Sequence, residues 1–190
     1  MFNLFSKKNQ RLLADSSIRI VADSLVLFAV QLGNRITREI LVGMEKSNEN
    51  ASYFILLETL CMYLHFSKNS SFSVFSKKEI PVFVTKLCMS TAEQFASVIL
   101  DGEKETENTV IIATQLRDKY IETNTYYGST TVLMDKDSPF LGNGLFQIYG
   151  RRMAEIICSN SNPEIIMRSI EILTEDFKGK ELQELISHIN

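Results

Sequence analysis

Residues 15–43 read DSSIRIVADSLVLFAVQLGNRITREILVG, and the fold class turns on this stretch. Ile18, Val21, Leu25, Phe28, Leu32, Ile36 and Ile40 recur at intervals of three and four. That spacing keeps side chains on one face of a helix with about 3.6 residues per turn. Asp15 suits the cap and Gly43 the stop, so one long helix is expected from Asp15 to Val42. Leu27 and Val30 fall off the stripe and need a partner of their own, inside the domain or outside it.

The same pattern continues outward. A second helix is expected over Asn50 to Phe66, with Phe54, Leu57, Cys61 and Leu64 inward, and it is apolar enough to be central. Ser76-Lys77-Lys78-Glu79 fits a capping box, and Phe75 with Ile80 fits a hydrophobic staple, so a third helix begins there and runs to Asp101, with Gly102 as its stop. Pro81 conflicts with that start unless the first turn is distorted or the regular helix begins nearer Ile80. The acidic run Glu103 to Glu107 complements the positive end of a fourth helix, which carries Val110, Ala113, Leu116, Tyr120 and Ile121 and fades at Tyr126-Tyr127-Gly128. A fifth begins at Ser138-Pro139 or at Asn143-Gly144. Asn162-Pro163 opens a sixth that runs up to Gly179, and a short amphipathic piece with Leu182, Leu185, Ile186 and Ile189 closes the chain.

The expected fold is therefore all-α: a single-domain bundle of six or seven helices over residues 15–190, with one long irregular connection and a basic segment, residues 1–14, outside it. No internal repeat of solenoid length is present. Composition agrees. The chain has 190 residues, 45% hydrophobic and 23% charged, with 8 Gly and 3 Pro, too few for a β-sandwich built on tight turns.

A net charge of -3 disfavours broad attraction to nucleic acid or anionic lipid. The apolar run Leu25 to Val30 is closely bounded by Asp23 and Gln31, well short of the roughly 20 apolar residues a spanning helix needs, so no transmembrane segment is expected. Met1 to Lys8 reverses the order of a secretory signal. Its charges, Lys7 and Lys8 with Arg11, are fewer than the roughly four to eight of a polybasic lipid anchor. Cys61, Cys88 and Cys158 are an odd, widely spaced set among apolar residues. They read as buried thiols in a reducing, cytoplasmic setting.

Candidate chemistry is sparse. Glu58, Cys61 and His65 share one helix face and could offer metal ligands or a thiol and imidazole pair. The only other histidine, His188, lacks a Glu three residues before it, and no further orienting group can be named. Packed core groups account for them better. Asp135-Lys136-Asp137 invites a calcium reading, but the register puts Phe140 and Phe146 where glycine and glutamate are required. Gly142-Asn143-Gly144 lacks the lysine of a phosphate loop, although a helix start there, with Arg151 or Arg152 nearby, could hold an anion. No catalytic residue, metal or cofactor is assigned.

Least like plain scaffold is the connection Glu122 to Gly144, longer than the usual link between bundle helices. The expected function is binding: a homodimer that recognises a protein or peptide through a helix groove. The alternative is a small-molecule binder or enzyme with an interhelical pocket closed by that connection, whose contacts would be Tyr126, Tyr127, Asp135, Asp137, Tyr149 and Arg152.

Overall fold

The computed structural model describes residues 15–41, 50–100, 106–128, 130, 132–134, 142–158 and 161–189. Among these it contains seven α-helices and no strand: α1 (Asp15–Ile36), α2 (Ala51–Ser71), α3 (Glu79–Ile99), α4 (Thr106–Tyr127), α5 (Leu145–Cys158), α6 (Pro163–Asp176) and α7 (Gly179–Ser187). The all-α bundle read from the sequence is the fold. The basic segment 1–14 lies outside the described residues.

In α1 the stripe Ile18, Val21, Leu25, Leu32 and Ile36 is buried against α2 and α3, with α6 and α7 at its edges. The helix does not run on unchanged to Val42. A π-helical turn, Thr37–Leu41, follows Ile36 and keeps Ile40 buried. By length and composition alone the 27-residue run Asp15–Leu41 would suffice to cross a bilayer, which the spacing of its charges did not suggest. Here its apolar stripe is covered by the rest of the bundle. Of the two residues off the stripe, Val30 packs half-buried against the core and Leu27 stays 53% exposed.

α2 is the axis. It packs against α1, α4, α5, α7 and α3, and its buried residues lie on all sides of it. A helix surrounded in this way has no solvent stripe, so its sequence shows little amphipathic contrast. It also runs one turn beyond the expected end at Phe66, through Ser67 to Ser71, with Phe72 at its C-cap. The serines there mimic a linker, but Ser71 Oγ donates to Lys68 O at 2.6 Å and stays within the helix.

Pro81 conflicts with nothing. It is the third residue of α3, within the first turn, where a backbone N–H has no intrahelical acceptor to lose. Ser76 N donates to Glu79 Oε2 at 2.8 Å, one half of the expected capping box, and Phe75 and Ile80 are both buried. α5 takes the second of its two possible starts, immediately after Gly144. Asn162 caps α6, its Oδ1 accepting from Glu164 N at 2.9 Å and Ile165 N at 3.4 Å. Gly179 is not a stop but the first residue of α7, since α6 has already ended at Asp176. A Cβ on Gly179 would crowd the rings of Phe177 and Phe66, which are themselves packed edge to face, so a larger residue here would require those rings to shift.

α4 retains Glu122 to Tyr127, so the irregular connection begins at Gly128 and is shorter than expected. Its described part, Thr130 and 132–134, lies against both neighbours. Asn69 Nδ2 donates to Thr130 O at 2.7 Å, while Leu145 N and Phe146 N donate to the carbonyls of Val132 and Leu133 at 3.0 and 2.9 Å. The connection thereby satisfies the open amides at the start of α5.

Candidate functional site

A glutamate in the middle of the central helix organises one side of the bundle. Glu58 is 0% exposed, and three groups converge on its carboxylate. The Tyr127 hydroxyl donates to Oε1 at 2.7 Å, Arg152 Nε lies 3.4 Å from the same oxygen, and Lys119 Nζ lies 3.3 Å from Oε2. Lys119 and Arg152 reach in from α4 and α5 by their long stems and also meet Glu122 at the rim, at 3.1 and 3.3 Å. Arg152 pairs with Glu155 as well, and its guanidinium sits 4.7 Å above the Tyr126 ring. Burial, reinforced by the negative Glu58, holds the Tyr127 hydroxyl far above its usual pKa, so it remains a donor. One turn face away, Thr59 Oγ1 bonds the buried Tyr149 hydroxyl at 2.6 Å and donates to Ile55 O.

Cys61 and His65 continue along α2 towards α4. His65 Nε2 is 3.1 Å from Thr123 Oγ1, and the imidazole stacks on Tyr120 with ring centres 4.3 Å apart. Burial, with the positive Lys68 adding to it, lowers its pKa to about 4, so the ring is neutral at physiological pH. Burial and the charge of Glu58 push the Cys61 thiol well up. A buried thiol shifted in that direction is not an activated nucleophile. Among the described residues no group of three His, Cys, Asp or Glu side chains is placed to hold a metal. Glu58 instead spends its carboxylate on a hydroxyl and two cations.

A second feature opens at the far end of α2. Phe66, Asn69 and Ser70, at positions i, i+3 and i+4, share one helix face, and with Thr130, Val132, Leu133, Leu145 and Gln183 they line a crevice of about 210 Å³. Val132 and Leu133 are 53% and 44% exposed at its wall, and Phe72 and Met134 are also exposed large apolar side chains. The Asn69 bond to Thr130 O ties the irregular connection to α2 at this point.

The structure brings Tyr126, Tyr127 and Arg152 together around Glu58, with Tyr149 beside them on Thr59. Tyr127 and Tyr149 are 0% exposed and act as core hydrogen-bonding groups. Asp135 and Asp137 lie outside the described residues. Of the four that are described, none lines the crevice. The anion cradle at the start of α5 is not open either. Its first two amides are bonded to carbonyls, Arg151 Nη1 donates to Gly142 O at 2.9 Å, and Arg152 is held by glutamates. The crevice residues were hidden because the second helix was expected to end at Phe66, whereas it runs to Ser71. Extending the second helix by one turn would have put Phe66, Asn69 and Ser70 on one face.

Comparison with protein-family models, with curated proteins and with solved structures returns no match.

Proposed function

We propose that this chain is a binding module that takes an apolar segment of a protein or peptide partner into the crevice between α2, the wall formed by Thr130, Val132 and Leu133, and α7. The carrying observation is the crevice itself: a concavity of about 210 Å³ whose wall includes the exposed side chains of Val132 and Leu133. Pockets for whole small ligands run to roughly 300–1,000 Å³, so this one suits a single inserted side chain better than an enclosed metabolite. Among the described residues, the buried ionisable groups around α2 are committed to one another or to the core. Glu58, Lys119 and Arg152 neutralise one another, and His65 is a neutral core group. The three cysteines are unpaired thiols, in keeping with a reducing compartment such as the cytoplasm.

Selection from a random peptide display library against the immobilised protein tests the reading. Clones should be enriched by the wild type and lost with Leu133→Asp, which puts a charge on the wall at an exposed position. Enrichment that survives this substitution would place the binding surface elsewhere.

A second reading, self-association, is favoured by Met89 at 61% and Ile121 at 63% exposure on α3 and α4. Sedimentation velocity across concentration should then show a dimer that Met89→Lys with Ile121→Lys converts to monomer; a monomer at every wild-type concentration ends this reading.

A further inference from the structure

We infer that Asn143 is a self-modification site: the backbone nitrogen of Gly144 attacks its carboxamide, and the chain deamidates there, without an enzyme, to an isoaspartyl or aspartyl residue.

The sequence supplies the reacting pair once. Asn143-Gly144 is the only asparagine followed by glycine in the chain. Ring closure brings the asparagine Cγ onto the nitrogen of the next residue, and a Cβ on that residue would crowd the approach, so glycine obstructs it least. The Gly144 N–H gives its proton to hydroxide or water, its nitrogen bonds Asn143 Cγ, and the side-chain nitrogen leaves as ammonia. Water then opens the succinimide at one of its two carbonyls. The net change consumes water, releases ammonia and converts the carboxamide to a carboxylate, with no oxidant or reductant involved.

The fold leaves this pair unengaged. Asn143 is exposed and precedes Gly144, whose carbonyl accepts the first bond of α5 from Ile148 N at 3.1 Å. Among the described residues, nothing bonds the Asn143 carboxamide or accepts from the Gly144 N–H. Both flanks are held: Gly142 O by Arg151 Nη1 at 2.9 Å, and Leu145 N on Val132 O at 3.0 Å. Gly144 is buried, which opposes loss of its proton, and the positive end of the α5 dipole offsets this by favouring negative charge on that nitrogen. Two other asparagines show what blocks the reaction. Asn69, followed by Ser70, is fixed inside α2 and its Nδ2 donates to Thr130 O at 2.7 Å. Asn162 is followed by Pro163, whose nitrogen carries no proton to lose.

The product adds one negative charge to a net charge of -3. The isoaspartyl form also inserts one carbon into the backbone, next to the Leu145 and Phe146 amides that hold the carbonyls of Val132 and Leu133.

For the test, the full chain is incubated in neutral and mildly alkaline buffer made with H₂¹⁸O, digested with pepsin in acid, where ring closure stops, and analysed by mass spectrometry. A free peptide of residues 139–147 is treated alongside it. Asn143 should convert with uptake of solvent ¹⁸O, give isoaspartyl and aspartyl products together, and do so faster as pH rises. Gly144→Ala, in chain and peptide alike, should slow the conversion at least about tenfold, a barrier higher by about 1.4 kcal/mol. Asn143→Gln, an exposed change, should abolish it without altering the circular dichroism. Asn143 left intact in the folded chain after the peptide has fully converted overturns the inference. Conversion undiminished by Gly144→Ala, or a product that is aspartate alone, overturns the attack by Gly144. Equal conversion at Asn69 overturns the selection of Asn143 by the fold.

Discussion

Glu58 is fully buried and held from three sides. Two cations and a hydroxyl compensate its buried charge, so removing the carboxylate leaves Lys119 and Arg152, 15% and 14% exposed, without their inner partner. Glu58→Ala should destabilise the fold by about 3–5 kcal/mol, and Tyr127→Phe by about 1–3 kcal/mol, both read from urea unfolding. Their effects should fall short of additive because they share one bond. His65 gives a pH signature. Its imidazole titrates near 6.5 when unfolded and at about 4 when folded. The unfolded chain therefore takes up the proton first as pH falls. This contribution is fully present above about pH 6.5, drains away towards pH 4 and changes no further below it, about 3 kcal/mol in all. His65→Phe, which keeps a ring against Tyr120, should flatten the curve of stability against pH in that window. An unchanged slope would assign it to carboxylates instead. None of this was legible locally. The sequence showed Glu58, Cys61 and His65 on one face, but Lys119, Tyr127 and Arg152 arrive from elements about 60 to 95 residues further along, as folding alone arranges.

At the scale of elements, helix ends with chemical caps were readable and ends without them were not. Asn162-Pro163 opens α6 because an amide side chain satisfies free N–H groups and proline fits the first helical position. α2 ends at Ser71 with no such signal in its favour, and Gly179 looked like a stop but begins a helix. The glycines inside helices separate two kinds of close packing. A Cβ on Gly150 of α5 would sit 2.8 Å from the backbone carbonyl oxygen of Ile166 on α6, which cannot yield without moving a helix. Gly150→Ala should therefore cost about 1–3 kcal/mol through overpacking. A Cβ on Gly33 of α1 would meet Leu56 Cδ2 at 2.6 Å, the end of a flexible side chain. Gly33→Ala should be near neutral, because alanine gains up to about 1 kcal/mol of helix propensity against that adjustment. Thermal melts of the two variants check the contrast, and equal losses would contradict it.

Across the whole molecule, a surface ion network joins the π-helical turn after α1 to α6. Arg35 meets Glu39, Glu175 and Asp176 at 2.7, 2.5 and 2.8 Å, and Arg168 meets Glu39 and Glu171 at 2.6 and 2.9 Å. Arg35→Gln should lower the melting temperature in dilute buffer, and the difference should shrink in about 1 M salt, where the screening length falls to about 3 Å. A deficit independent of salt would mean that Arg35 acts through packing.

The sequence by itself determined the class of the molecule and the order of its helices, because the spacing of apolar residues and the chemistry of caps act within a few residues of chain. Tertiary structure decided which helix became the axis, that Glu58 would be buried and compensated, and that residues on α2, α5, α7 and the connection before α5 would close around one crevice. Those outcomes depend on contacts between distant segments, and a local pattern carries no record of which segment will lie against which.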